Sequence, residues 1–278
     1  MVKLLSAKSW KTHIRSWIHR STRSSVLMSK GTASVATGES SAEILARQSK
    51  YEKRAAAQAI AASVDFIVPT MTLDQLFPGA DQAQVIMLPR LIRSHKWAMP
   101  EHELLTLGAL ARMIQPRKVV EFGTFRGGST LAMASNMPAE SHVVTVDIEP
   151  AQRKTHEHGL GTGLSEFDLG CLFRGTAYES MIEQRYCNTL QFQADDLIGK
   201  ADLVFVDADH TYEFVKRDTA KAMTFVKPGG WILWHDYTWE PENSECAGVT
   251  KAVNEFFLQH GNCHQIAKTR FAIHQVKK

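Results

Sequence analysis

A chain of 278 residues and 31.1 kDa has room for one large α/β domain with an appendage, or for two small domains. An apolar share of 44% and a charged share of 22% exclude a wholly disordered or fibrous protein. No window approaches eighteen uninterrupted apolar residues, so no membrane-spanning helix is expected.

The net charge of +3 is unevenly spread. Residues 1–38 hold seven of the 32 basic residues and no acid, leaving 25 basic against 29 acidic residues in 39–278. So acidic a body does not present the clustered Lys and Arg that nucleic acid requires, and no nucleic-acid partner is expected. The four cysteines (Cys171, Cys187, Cys246, Cys263) are scattered and form no C-x-x-C pair, which points away from a disulfide scaffold or structural zinc and toward a reducing, cytoplasmic setting.

In chain order, Leu4, Trp10, Ile14, Trp17 and Ile18 share one helical face of the basic arm, with Lys8, Lys11, Arg15 and His19 opposite. Such a helix would lie on an anionic membrane surface, dock on a partner through residues 1–20, or pack on the body. Its acid-free, serine-rich composition is also shared with organellar targeting segments. Residues 29–41 read as a linker. Ser40-Ser41-Ala42-Glu43 is a capping box opening an alanine-rich helix to about Ser63. Residues 65–93, broken by Pro69, Pro78, Gly79 and Pro89, predict short pieces and loops, in the manner of a lid or an oligomer contact. The expected organisation is an arm and linker over 1–38, a helical extension or lid over 39–99, and a body over 100–278.

The body alternates. A helix is expected from Pro100 to Ile114, and a strand over Lys118–Phe122. A helix over Gly128–Met137 and a strand His142–Val146 ending at Asp147 follow. A strand over Leu203–Val206, a helix over Tyr212–Val226, a strand over Trp231–Trp234 and a helix over Val249–Leu258 come next. Gln265–Ala267 with Phe271–Val276 would close as a hairpin. Alternation of this kind implies a parallel sheet covered on both faces, with ligands beyond the carboxyl ends of its strands.

Four of those ends carry chemistry. The first, Glu121-Phe122-Gly123-Thr124-Phe125-Arg126-Gly127-Gly128-Ser129-Thr130, is a glycine bend opening a helix, where backbone comes close to a ligand. Its G-x-x-x-G-G spacing is not the dinucleotide G-x-G-x-x-G, and the Glu121 carboxylate suits a cationic ligand such as an ammonium or sulfonium better than a pyrophosphate. The second ends at Asp147, placed to accept hydrogen bonds from a ribose diol or else to cap a helix. The third is Asp207-Ala208-Asp209-His210 and the fourth His235-Asp236-Tyr237. Asp207 and Asp236 converge there to hold a hard divalent cation, or one of them serves as a general base.

The segments EFGTFRGGSTL, VVTVDIEP, DLVFVDADHTYEFVKRD and VKPGGWILWHDY resemble class I S-adenosylmethionine-dependent methyltransferases, nearest to the branch that O-methylates sugars and other natural products. The resemblance covers roughly residues 100–278. It implies a Rossmann-like doubly wound, mostly parallel seven-stranded sheet with helices on both faces, behind an N-terminal helical extension. It also implies S-adenosylmethionine as methyl donor and a small-molecule acceptor; the oligomeric state, a homo-oligomer included, is left open by the sequence. Glu121, Gly123 and Gly127, with Thr124 and Ser129 of the same loop, match the bend beneath the methionine moiety, and Asp147 matches the ribose acid. Asn188, or in competition Asp195, falls at the adenine position. Asp207 and Asp236 match the acids of cation-dependent members, with His235 where some relatives have a second acid, a departure that sits poorly with magnesium's preference for oxygen. Asp209 and His210, with Asp207, match positions of catalytic acids and bases. Three rivals share parts of the pattern: a nicotinamide oxidoreductase, a nucleic-acid methyltransferase, and a non-catalytic relative docked through its arm.

Overall fold

The structure, a computed structural model, describes residues 66–92, 98–149, 169–238 and 246–277. The basic arm, the helix expected from Ser40 and the stretch from Pro150 to 168 lie outside the described residues.

A single eight-stranded sheet carries the fold: β1 (Thr70–Met71), β2 (Lys118–Phe122), β3 (His142–Asp147), β4 (Ile182–Tyr186), β5 (Ala201–Val206), β6 (Val226–Trp234), β7 (Cys263–Ile266) and β8 (Ala272–Gln275). The helices named here are α1 (Leu73–Leu76), α2 (Glu101–Ile114), α3 (Gly128–Ala134), α4 (Tyr212–Phe225) and α5 (Ala247–His260). Strand order is β1-β7-β8-β6-β5-β2-β3-β4. Strands β4, β3, β2, β5 and β6 run parallel, and β8 lies antiparallel between β6 and β7. This is the doubly wound sheet that the resemblance implies, with one strand more than the seven expected. The additional strand is β1, which pairs parallel with β7 through Thr70↔Gln265 and Met71↔Ile266. Two residues between prolines carry no periodicity, which is why the sequence does not announce it.

The central strands are β-branched and aromatic, and because successive side chains point to opposite faces they fill two separate cores. Val120, Phe122, Val204, Val206, Ile232 and Trp234 point one way, with Val215, Ala222, Val249 and Val253 of α4 and α5. Val119, Leu203, Phe205 and Leu233 point the other way, with Leu104, Leu107 and Leu110 of α2 and Leu131 and Met133 of α3. Helix α2 carries Glu101 and Glu103 in its first turn and ends at Gln115 in the left-handed region (φ 52°) before Pro116. Pro100 caps it rather than opening it. Strand β6 begins earlier than expected and runs through Lys227-Pro228-Gly229-Gly230. Its pairing with β5 jumps from Ala201↔Val226 to Leu203↔Trp231, so Pro228, which has no N–H to donate, falls in a bulge, while Gly229 donates to Val276 O at 3.0 Å.

Residues 66–92 add their own side chains to the body. Phe77, Ala80 and Leu91 are buried in the α2–α3 core. Val68 donates its N–H to the buried Tyr237 hydroxyl at 3.1 Å, and that hydroxyl donates to Asn254 Oδ1 at 2.7 Å. None of the four cysteines forms a disulfide.

Candidate active site

Register decides which side chains meet. Phe122 lies opposite both Val146 and Val206, so Gly123 falls between Asp147 and Asp207. Val206 opposite Trp234 sets Asp207 beside His235, and Asp147 opposite Tyr186 brings Cys187 and Asn188 alongside. Across the carboxyl edge of the sheet the order is therefore Asn188, Asp147, Gly123, Asp207, then His235 and Asp236. The expected Asn188 stands at the end of that row, its Oδ1 accepting the Leu190 N–H at 2.9 Å. The competing Asp195 is exposed in a single turn on the connection leading back to β5.

The glycine bend is held from both sides. Gly123 has φ 95°, and a Cβ there would run into the main-chain oxygen of Asp207. Gly127, also left-handed, leaves no room for a Cβ because Phe173 packs over it. The segment around Phe173 crosses the bend through Gly170 N–H to Phe125 O (2.9 Å) and Leu172 N–H to Arg126 O (2.9 Å). Asp147 Oδ2 accepts the N–H groups of Thr124 (3.0 Å) and Phe125 (2.9 Å), and Oδ1 that of Ile148 (2.8 Å). The residue expected to grip a ribose is thus also the clasp that shapes the bend. Thr124 is buried, sharing a hydrogen bond with Thr145 Oγ1 at 2.7 Å.

Glu121 differs from expectation. As the residue after Val120 on β2 it points into the α2–α3 core and is fully buried. Ser129 Oγ donates to its Oε1 and Thr130 Oγ1 to its Oε2, both at 2.5 Å. Burial pushes its pKa up to about 7 against the pull of those hydroxyls. Glu121 and Ser129 tie the strand end to the first turn of α3; the partly exposed carboxylate beside the bend is Asp207.

At the other end of the row lies a polar cluster whose membership exceeds the sequence reading. His235 is buried, its Nδ1 3.2 Å from Asp207 Oδ1 and 3.4 Å from Asp236 Oδ2, its Nε2 2.9 Å from Glu103 Oε2. Arg270, from the turn between β7 and β8, donates Nη1 to Asp236 Oδ1 at 2.5 Å. It also donates Nη2 to Glu103 Oε2 at 3.1 Å and its main-chain N–H to Glu103 Oε1 at 2.7 Å. Burial alone would raise the Glu103 pKa, but the hydrogen bonds and charges of His235 and Arg270 outweigh it and hold it at about 2. Burial likewise opposes charge on His235, yet the Asp236 and Asp207 carboxylates hold its pKa well above the ordinary imidazole value. Asp236, in the left-handed region at φ 60°, is kept far below the usual carboxylate range by His235, His210 and Arg270 in spite of burial.

Glu103 had a signal in the sequence, since it shares the stripe of Leu107, Leu110 and Ile114 at i+4, i+7 and i+11. An acid on a buried face requires a partner. Arg270, in a short turn, had none.

The predicted base positions separate. His210 Nε2 lies 3.1 Å from Asp236 Oδ2 and 4.0 Å from Asp207 Oδ1. Asp209 instead shapes the entry to α4, its Oδ1 accepting the Thr211 N–H at 2.7 Å. Ligand atoms of Asp207, His235 and Asp236, the expected metal set, lie within 4.8 Å of one another, as do those of His210, Asp236 and Cys246.

Residues 120–237 match a family model described as a methyltransferase domain. Among curated relatives, the chain is 28% identical over 139 residues to an uncharacterised protein of Acanthamoeba polyphaga mimivirus, covering 49% of this chain and 57% of that one. It is 29% identical over 139 residues to a caffeoyl-CoA O-methyltransferase of Stellaria longipes, covering 48% and 51%. The chain thus spans little more than half the length of these relatives. Among solved structures it resembles the O-methyltransferase TomG of Streptomyces achromogenes, solved in complex with S-adenosylmethionine. The TM-score is 0.52 and the identity 18%, over 75% of this chain and 100% of that one, a likeness of fold.

Proposed function

We propose that this chain, which belongs through residues 120–237 to the class I S-adenosylmethionine-dependent methyltransferase family, moves the methyl group of S-adenosylmethionine onto a hydroxyl oxygen of a small molecule. The observation that carries the reading is the row at the sheet's carboxyl edge, centred on a bend where a Cβ at Gly123 would strike Asp207. Asn188 stands where adenine would lie, Asp147 where a ribose would lie, and Asp207 where a cationic methionine end would lie. The oxygen specificity rests on the names of similar proteins, a caffeoyl-CoA O-methyltransferase and TomG.

When bound, the donor supplies a methyl carbon already activated by its sulfonium. The chain's own residues align the acceptor and take its proton. His210 Nε2 lies 3.1 Å from Asp236 Oδ2, a contact that favours the proton on Nε2 and leaves the lone pair on Nδ1. Among the described residues Nδ1 has no partner, and the ring is partly exposed. The donor would supply the methyl group, and its sulfur would keep the electron pair of the broken bond. The hydroxyl proton passes to His210 Nδ1. Holding oxygen, carbon and sulfur in line is the larger contribution, and it is entropic.

A thermal-shift comparison tests the reading. S-adenosylhomocysteine should raise the melting temperature of the full chain and NAD should not, since only a ligand of the folded state stabilises it. Stabilisation by NAD alone would favour the oxidoreductase reading.

A further inference from the structure

We infer that Asp218 and Lys221 of α4, acting through Thr189, are positioning residues that hold the Asn188 turn against the donor's adenine and so set the site's preference for that base. The inference rests on the reading of the site as a methyl-donor pocket, in which Asn188 stands where adenine would lie.

Strand β4 is the last of the sheet and is only partly buried, so the chain leaving it has a strand on one side alone. Cys187 donates its N–H to Asp147 O at 2.8 Å. Asn188 then closes a turn on itself: its main-chain oxygen accepts from Gln191 N–H at 2.8 Å and Phe192 N–H at 3.0 Å, and its Oδ1 from Leu190 N–H at 2.9 Å. Phe192 seats the far end of this turn in the core beside Phe122 and Phe225. The Asn188 end is held from α4. Thr189 Oγ1 donates to Asp218 Oδ2 at 3.0 Å, and Lys221 Nζ donates to the Thr189 main-chain oxygen. Helix α4 is itself fixed to β6, where Trp234 Nε1 donates to Thr219 Oγ1 at 2.8 Å.

Asp218 is not placed there for packing. It shares the buried face of α4 with Val215, Ala222 and Phe225 and is 1% exposed. A carboxyl among such neighbours costs stability that an apolar side chain would not. Burial pushes its pKa up to about 7 although Thr189 and Lys221 pull the other way. Among the described residues its Oδ1 has no hydrogen-bond partner, and Thr189 is the side chain that bonds its Oδ2. The acid therefore specifies where Thr189 sits, and with it the residue before, Asn188.

The test titrates the full chain calorimetrically with S-adenosylhomocysteine and with S-inosylhomocysteine, which differ only at the six-position edge of the base. The wild type should bind the adenine compound more tightly. Thr189→Val should weaken that compound by about tenfold and leave the inosine compound little changed, so the preference narrows by the same factor. Thr189→Ser, which returns the hydroxyl, should restore it. Lys221→Met, at a partly exposed position, should narrow the preference in the same sense and serves if Thr189→Val does not fold. A merely structural defect would lower the melting temperature and leave the ratio of the two affinities as it was. The wild-type ratio in the folded variants, or a wild type that binds both compounds equally, overturns the inference. A wild type that binds neither removes the donor reading itself.

Discussion

Replacing Glu103 by Gln isolates the charge that anchors the polar cluster. The side chain is 1% exposed, so solvent does not screen its partners. Its pKa falls from 4.5 to about 2 on folding, and that depression corresponds to about 3 kcal/mol of stability. The contribution is complete above the unfolded value of 4.5 and is lost as pH falls through the folded value of about 2. An independent route gives a similar size: breaking a buried ion pair by removing one partner costs about 3–5 kcal/mol. In the variant the amide nitrogen would also face Arg270 or His235, donor against donor. Urea denaturation at pH 7 should show Glu103→Gln less stable by about 3 kcal/mol, a melting temperature lower by roughly 6–12 °C. The gap should shrink to less than half near pH 3. A variant within about 1 kcal/mol of the wild type at pH 7, or a gap that ignores pH, would refute the view of Glu103 as the ionised anchor of His235 and Arg270.

Other consequences follow from the same geometry. Gly123→Ala forces a Cβ against the Asp207 main chain at φ 95°, so it should abolish S-adenosylhomocysteine binding in calorimetry and lower the melting temperature. Glu121 and Asp218 are buried acids pushed up to about 7. Each therefore favours the native state when protonated, and stability should decline as pH rises from about 4.5 through 7. Glu121→Gln should flatten that decline in denaturation midpoints, leaving the part due to Asp218; an unaltered slope would show that Glu121 is not titrating. His210→Ala should lower kcat by about 10²–10⁴-fold while S-adenosylhomocysteine affinity, read by calorimetry, is unchanged.

Much of the framework was legible because a parallel sheet buried on both faces writes its strands as short apolar runs and places its polar residues at their ends. Lys118–Phe122 is a strand over the span expected, and Gly123, Asp147, Asp207 and Asp236 stand along one edge because the register aligns the residues just past each run. What was hidden depends on facing and on distant contacts. That Glu121 turns inward follows from its being one residue out of phase with Phe122, a parity that only the placement of α3 makes decisive. Arg270 reaches the site from a turn 34 residues beyond Asp236, and no periodicity connects the two. Strand β1 owes its pairing to β7 and not to its own two residues.

The central claim is that the bend between Asp147 and Asp207 receives S-adenosylmethionine. Equilibrium dialysis of the folded full chain against radiolabelled S-adenosylmethionine measures it most directly. Saturable uptake of one molecule per chain, displaced by S-adenosylhomocysteine and lost in Asp147→Ala, is the result expected. Absence of uptake by protein whose circular dichroism shows it folded would contradict the account.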